Sequence, residues 1–433
     1  MSLSECSPPC SPYSGLNNRR KRQRGSSMNT SNTFDVIIVG AGVVGCSIAY
    51  HLTKAGYSVA LIEQKHVGAG ASGANFGMVQ SNDVEIKHSI PMVLKSYKRF
   101  DSLEEELGMS IGFRRIASLR LLSSETQWKN SIERASILPN AGIPYEFVPP
   151  ERVVEIEPAV SPGGLFGATY ASYQGQTNPF LLMWAFLRKA NQQGLSLQTH
   201  TEVKKLLIQS GRIIGVETNR GSFYAGSIVL ATAAWTRRLG EMIGHNWNIH
   251  TFRASAMVTE RFSDLQVNSI VTSADHIEME INGPKDSELT VMALSQTQEG
   301  NFLIAQADRP GEVLDGKISH VAPKAMSTIS TRFFPVLRKV KIIRTWTAPT
   351  TYTEDGMPLL GPVEDLQGLI LAASFRSAIV NSPIAGEIVT QLINQDHCDL
   401  IDISPFAPER TMTQADTVYR VKSSRTDENE MPD

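Results

Sequence analysis

Cysteine is scarce, with four in 433 residues. That is too few for a disulfide scaffold at this length and points to a reducing, cytoplasmic setting. Cys6 and Cys10 flank two prolines, Cys46 falls in an apolar stretch and Cys398 lies near the C-terminus. None of them forms a zinc-type pair with a histidine. The nine histidines never occur as H-x-x-x-H or H-E-x-x-H, so no metal is expected. No apolar run reaches the roughly eighteen residues that a membrane span needs. Positive charge is also short outside the first 33 residues. There Arg19, Arg20, Lys21, Arg22 and Arg24 face only Glu5, and the whole chain still carries a net charge of −2. The remaining body is therefore acidic and has no basic field to attract nucleic acid. Residues 1–33 are rich in Ser, Pro and Asn and read as a disordered basic tail. Their Arg/Ser content leaves organelle targeting open, and Met28 is an equal alternative as the start of translation. Residues 411–433 read as a second polar tail.

Against these absences stands one dense stretch. Phe34 to Val39 is a nearly continuous apolar run, the pattern of a parallel strand buried on both faces. Gly40-Ala41-Gly42-Val43-Val44-Gly45 follows and opens a helix that Gly56 ends. Gly40 permits the tight turn, Gly42 lets a pyrophosphate approach the backbone, and Gly45 lets the helix lie close on the strand. Ser58 to Ile62 forms a second strand. Glu63, eighteen residues after Gly45, stands where a carboxylate accepts hydrogen bonds from a ribose, with Gln64 beside it. Strand, turn, helix, strand and acid in register define a dinucleotide site with its phosphates at a helix N-terminus. Gly68 to Gly77 is small and glycine-rich, which suits either a second ligand-binding surface or a flexible surface loop.

Farther on, residues 86–107 and 125–138 carry helical periodicity, and Asn178-Pro179 starts a helix over 180–193. Short strands are expected at 111–122, 163–170, 197–207, 212–218 and 221–224. Ser227 to Trp235 is a buried strand that can return to the first sheet. Residues 277–281 and 301–305 alternate like half-exposed strands, which suggests a second, largely antiparallel sheet. Gly368 to Ala373 is a strand, followed by a polar turn from Ser374 to Pro383 and a helix over 384–393. That helix start offers amides and a positive dipole end to a ligand. The fold class expected is α/β: a Rossmann-like dinucleotide domain formed by 34–85, 160–245 and 341–410. A second, α+β substrate domain is expected from 86–159 and 246–340.

These pieces, in this order over roughly residues 34 to 410, resemble the flavin-dependent D-amino acid oxidase family. That family includes glycine oxidase, sarcosine oxidase and the catalytic subunits of opine and D-hydroxyproline dehydrogenases. The resemblance rests on Asp35–Glu63, Gly68–Gly77, Val229–Trp235, Thr353–Gly361 and Ser374–Gly386. It implies that the dinucleotide is FAD and the substrate a small amine or amino acid. The reaction implied is oxidation of a D-amino acid or N-substituted amino acid, of sarcosine or opine type, to an imine by hydride transfer to flavin N5. It places Gly40, Gly42 and Gly45 at the pyrophosphate, Glu63 at the adenosine ribose, and Val203 at the adenine edge. Ser72, Asn75 and Gly77 would line the ribityl and flavin side, and Ser374, Phe375, Ala378 and Ile379 would border the isoalloxazine. Arg376 is the candidate for gripping a substrate carboxylate, with Arg115 as an alternative cation and Tyr352 as a hydrogen-bond donor in the pocket.

The sequence also departs from the family pattern. Thr350 stands where glycine-oxidase-like members carry an arginine, and Ala348 where sarcosine-oxidase-like members attach the flavin through cysteine. Val380 stands where those enzymes hold a lysine near the flavin. Dissociable, non-covalent FAD is therefore expected. The electron acceptor is oxygen or a partner protein in a heteromeric complex, and a non-catalytic electron-transfer or scaffold subunit remains the alternative.

Overall fold

A computed structural model describes residues 32–81, 89–135, 142–275, 289–310, 314, 317–318 and 320–412. The first sheet runs, edge to edge, through Leu359–Pro362, Leu369–Ala373, Gly221–Leu230, Thr33–Val39, Val59–Ile62 and Ser196–Gln198. Only the Leu359–Pro362 edge pairs antiparallel; the other five strands are mutually parallel. The Val203–Gln209 and Arg212–Thr218 hairpin continues from the first half of Gly221–Leu230. Thr33–Val39 thus has a strand on each side, and Val36 to Val39 are all buried. This is why Val36 to Val39 form a continuous apolar run rather than an alternating one.

One face of this sheet is covered by the glycine-turn helix Val43–Lys54, which packs between helices Pro179–Gln192 and Ala378–Gln395. A Cβ on Gly386 would lie 2.3 Å from His51 Nδ1 and 2.5 Å from Ser47 Oγ, so only glycine lets the first and last of these helices cross. The expected helix at 86–107 breaks at Phe100–Ser102 into Ile90–Arg99 and Leu103–Leu107. Both pieces bury Met92, Val93, Tyr97, Leu103 and Leu107 in this same core.

The second sheet runs Ile342–Thr353, Ile249–Arg261, Asn301–Pro310, Leu289–Gln296, Ser269–Ser273, Arg114–Leu122, Gly167–Gln176 and Met78–Val79. It is antiparallel except where Ser269–Ser273 meets Arg114–Leu122. Helix Ala322–Phe333 packs against it through Met326, Ile329 and Phe333. Sheet membership departs from the sequence-based division at Met78–Val79, Gly167–Gln176 and Ile342–Thr353, which pair in the second sheet although they lie within 34–85, 160–245 and 341–410. The two helices within 86–107, expected in the second domain, likewise pack with the first sheet. Composition carries no mark of either choice, because a strand's partner is selected by long-range register rather than by its own pattern. The strand expected at 277–281 lies outside the described residues, as do residues 86–88, 136–138, 1–31 and 413–433; of the expected N-terminal tail, Thr33 already belongs to the first strand. Among the described residues no helix is long and apolar enough to cross a membrane.

The lone parallel junction in the second sheet is held by a buried acid. Glu157 is fully buried at the end of helix Pro150–Ile156, and its Oε2 accepts the amides of Asn268 at 2.9 Å and Ser269 at 3.1 Å. Burial pushes its carboxyl up to about 7, the two amides opposing. The folded value exceeds the unfolded one, so this group stabilises fully below the unfolded carboxylate range, and the benefit is lost as pH rises through about 7. Glu157→Gln keeps an acceptor for both amides without the charge. At pH 8 it should be more stable than wild type by up to about 3 kcal/mol, and below about pH 4 the difference should vanish. Guanidinium unfolding at both pH values tests this; equal curves at pH 8 would refute the linkage.

Candidate active site

The parallel strands of the first sheet all stop at one edge, and each stop carries a different kind of residue. In spatial order these are Glu63 after Val59–Ile62, Gly40 after Thr33–Val39, Ala231 after Gly221–Leu230, and Ser374 after Leu369–Ala373. A cavity of about 290 Å³ runs along this edge, touching all four and continuing onto Trp346, Ala348, Thr350 and Tyr352 of the second sheet. Three strand spacings make the walk from Glu63 to Ser374 about 14 Å. That span suits an extended dinucleotide at the carboxyl ends of the strands.

At one end, Glu63 is buried and both its oxygens are engaged: Oε2 accepts from Ala41 N at 3.0 Å and Oε1 from Lys65 N at 2.8 Å. An ionised carboxylate has about four acceptor positions, so two remain for ribose hydroxyls. Gln64, Thr201 and Val203 line the cavity beside it. The amides of His200 and Thr201 bond the Lys65 and Glu63 carbonyls, which ties the hairpin to this end.

The glycine turn comes next. Gly40 has φ +101, and a Cβ there would sit 2.5 Å from the Ala231 carbonyl oxygen. A Cβ on Gly45 would sit 2.0 Å from the Gly40 carbonyl oxygen, so Gly45 fixes helix against strand and does not itself line the cavity. Gly42 lies open to the cavity, its nearest neighbour being Ser72 Oγ, which would be 3.0 Å from a Cβ. Ser72 Oγ accepts from Val43 N in the first helical turn at 3.0 Å.

Two of the expected flavin-side positions sit elsewhere. Ser72 faces the glycine turn, its Oγ accepting from Val43 N, and not the far end of the cavity where Ser374 and Arg376 stand. It is carried to the turn by the short helix Ala71–Ala74, which the small-residue composition of 68–77 did not disclose. Gly77 is absent from the lining: a Cβ on it would be 1.7 Å from the Thr177 carbonyl oxygen, so it is the contact point with the strand end at Gln176. Its amide donates to Asn75 Oδ1 at 2.7 Å, and Asn75 does line the cavity.

At the far end stand Ser374, Phe375, Arg376, Ala378 and Ile379. Helix Ala378–Gln395 begins here with no side-chain cap and no acid in its first turn, leaving its positive end toward the cavity. Trp346 Nε1 donates to the Ala74 carbonyl at 2.9 Å, closing the second sheet over the 68–77 loop. Tyr352 lines the wall with its ring packed edge-on to Phe252 at 5.2 Å. Arg115 is not part of the site. Its guanidinium lies 4.3 Å from the Tyr97 ring centroid and 4.2 Å from that of Tyr173, and it pairs with Asp101, so aromatic clamping holds it away from the cavity. Val380 is fully buried in the first core and contributes no side chain to the lining.

Sequence reasoning did not single out Trp346, Thr232 or Gln306, all of which line the cavity. Trp346 and Gln306 arrive from the second sheet, and only its placement reveals them. Thr232 follows the strand Gly221–Leu230, and its hydroxyl bonds that of Thr236 at 2.8 Å. Its place after a buried strand was the signal that could have found it. Among the described residues the lining contains no cysteine or histidine. Cys46 lies buried beneath the turn, where burial and the nearby Glu63 charge push its thiol up and leave it inert.

The residues therefore fit FAD on their own terms: two glycines where side chains would fill the cradle, a buried acid with spare acceptors, and a wall of second-sheet residues beyond. A strand-end dinucleotide cradle closed by an antiparallel sheet defines a dinucleotide-dependent oxidoreductase. The chain belongs to the DAO family of FAD-dependent oxidoreductases, whose model matches residues 35–392. Glycine oxidase from Geobacillus kaustophilus is 27% identical over 388 residues, covering 88% of this chain and 98% of that protein. A crystal structure of glycine oxidase from that organism matches with a TM-score of 0.80 at 25% identity, over 88% of this chain and 100% of the other. Sarcosine oxidase subunit beta from an Arthrobacter species is 28% identical over 394 residues, covering 88% of this chain and 92% of that protein. The crystal structure of L-proline dehydrogenase from P. horikoshii has a TM-score of 0.78 and 26% identity, covering 87% and 97%.

Proposed function

We propose that this oxidoreductase acts on the C–N bond of an amino acid or N-substituted amino acid, of D-amino acid, sarcosine or opine type, and converts it to an imine that hydrolyses. The observation that carries this reading is Arg376, placed at the end of the cavity opposite Glu63, on the turn before helix Ala378–Gln395. The other lining cations, Lys65 and Arg238, follow the Glu63 and Ala231 strand ends and belong with the adenosine and pyrophosphate half. FAD bound without a covalent link would accept the hydride from the substrate carbon.

The chain's own part is binding, orientation and exclusion of water. Arg376 would grip a carboxylate with paired N–H donors and so fix which C–H faces the ring. Trp346, Ala348 and Tyr352 form a largely apolar wall, which favours the neutral amine over its ammonium form. Ala348 and Asn75 at the lining offer no nucleophile for attaching the flavin, which supports dissociable cofactor. The named relatives oxidise glycine, sarcosine or proline, and these share a carboxylate next to the C–N carbon. The sarcosine oxidase relative is itself a subunit, so a heteromeric complex that passes electrons to a partner acceptor belongs to this reading beside direct reaction with oxygen. Peroxide formed by the isolated protein separates the two.

Anaerobic mixing with D-amino acids, sarcosine and opines should bleach the flavin absorbance for at least one carboxylated amine. No bleaching across all three classes would sink the proposal. Arg376→Ala should raise KM for that substrate by about 30-fold, equivalent to one charge-assisted pair, while leaving bound flavin in place. Unchanged kinetics would reassign Arg376 to structure.

A further inference from the structure

Outside the cofactor cavity, three side chains of metal-ligating type from distant parts of the chain meet at the antiparallel edge of the first sheet. His245, Asp365 and Glu409 each bring one ligand atom, and these atoms lie within 4.8 Å of one another. None of the three residues lines the cavity. Their separation along the chain is why no ligand-spacing motif marks them. His245 follows helix Thr236–Glu241; its amide donates to the Gly240 carbonyl at 3.0 Å, and its ring stacks on that of buried Trp247 at 5.2 Å and 19°. Asp365 lies in the turn between Leu359–Pro362 and Leu369–Ala373. Glu409 is flanked by Pro408, which packs on Gly361, and by Arg410, whose guanidinium bonds Asp355 at 2.7 Å. Each ligand thus projects from an anchored stretch of backbone.

The charge around them is lopsided. Glu364, Asp365 and Glu409 come together, and among the described residues no lysine or arginine forms an ion pair with any of them. Their one partner of opposite type is the His245 imidazole, whose Nε2 lies 3.3 Å from Asp365 Oδ1. The Glu409 carboxylate accepts from the Glu364 backbone, which holds it against the turn that carries Asp365. Partial burial comes first among the causes that raise the Glu409 carboxyl, and the Glu364 charge adds to it, as where acids crowd without a countercharge. An acidic patch has no need of an imidazole held in one orientation. A borderline transition ion takes that nitrogen together with carboxylate oxygens, whereas Mg²⁺ and Ca²⁺ take oxygen alone. Tetrahedral ligands about 2.1 Å from an ion stand about 3.4 Å apart, and the His245–Asp365 pair already has that spacing. The exposed side chains of Asp365 and Glu409 can turn to close the rest. We infer that His245, Asp365 and Glu409 bind Zn²⁺, with water in the fourth position, and that the ion ties the segment after helix Ala378–Gln395 to the edge of the first sheet.

Zn²⁺ titrated into the full-length protein against a chromophoric chelator should show saturable binding. At about 100 times its Kd the ion should raise the melting temperature by about 3 °C or more. Mg²⁺ and Ca²⁺ at the same concentration should do neither. His245→Ala and Glu409→Gln should each weaken Zn²⁺ binding at least about tenfold, with far-UV circular dichroism verifying the fold. If His245→Ala does not fold, Asp365→Asn, a nearly isosteric change at an exposed side chain, carries the same test. Absence of saturable Zn²⁺ binding overturns the inference. Wild-type affinity in all of these variants places the ion elsewhere, and an equal melting shift from Mg²⁺ or Ca²⁺ reduces the cluster to an acidic patch; either result overturns it as well.

Discussion

Gly42→Val should yield a folded protein that purifies colourless. Gly42 has φ −77 and ψ 179, extended backbone that any residue adopts, so the substitution does not strain the turn. Its effect is spatial. A Cβ would already stand 3.0 Å from Ser72 Oγ, and the two methyls of valine reach beyond it into the space between the glycine turn and Ser72. There they block the close backbone approach on which pyrophosphate binding depends. Loss of about 4 kcal/mol, or roughly a thousandfold in affinity, is expected. Visible absorbance of the purified protein measures the flavin, and far-UV circular dichroism verifies the fold. A yellow variant with wild-type stoichiometry would show that the pyrophosphate lies elsewhere. Gly45 would be a poorer test, because a side chain there collides with the Gly40 carbonyl and disrupts the turn itself.

The second large effect lies at Arg410. Its Nε donates to Asp355 Oδ2 at 2.7 Å and its NH2 group to Asp355 Oδ1 at 2.9 Å, with a further bond to the Met357 carbonyl. Both side chains are almost wholly buried. Burial alone would raise the Asp355 carboxyl, but Arg410 outweighs it and holds the carboxyl below its ordinary value. The pair therefore contributes stability above the unfolded carboxylate pKa and loses it as pH falls through the lower folded value. Arg410→Ala strands Asp355 as a buried, unpaired charge and should cost about 3–5 kcal/mol. The double variant Arg410→Leu, Asp355→Leu should recover much of that loss. Denaturant melts of the single and double variants decide the matter: if the single change costs under about 1 kcal/mol, the pair is not the clamp it resembles.

What could be read from the sequence was the local part of this site. Gly40, Gly42, Gly45 and Glu63 are set by a contiguous strand–turn–helix–strand whose spacing is fixed by helix and strand geometry. Their cradle was therefore legible, as was the strand from Leu369 to the turn at Ser374. What was not legible depends on distant partners. Arg115 carries the same side chain whether it faces substrate or an aromatic clamp, and only the approach of Tyr97 and Tyr173 distinguishes the two. Gly77 looked like an extension of a ligand loop because its positive φ and close approach are requirements of glycine in either role. Arg410 lies 55 residues from Asp355, and no local pattern announces the pairing. Ile342–Thr353 reads as any strand does, and its membership in the second sheet is settled by register with Ile249–Arg261.

That strand has a consequence for how the molecule can change. Residues at the adenosine and pyrophosphate end come from the first sheet and its hairpin, whereas Trp346, Ala348, Thr350 and Tyr352 come from an antiparallel ribbon joined to it by the Trp346 bond to Ala74. Mutation of the ribbon can remodel the chamber over the far end while the anchorage of the cofactor persists. Selection can thus trade one amine for another without renegotiating how the coenzyme is held.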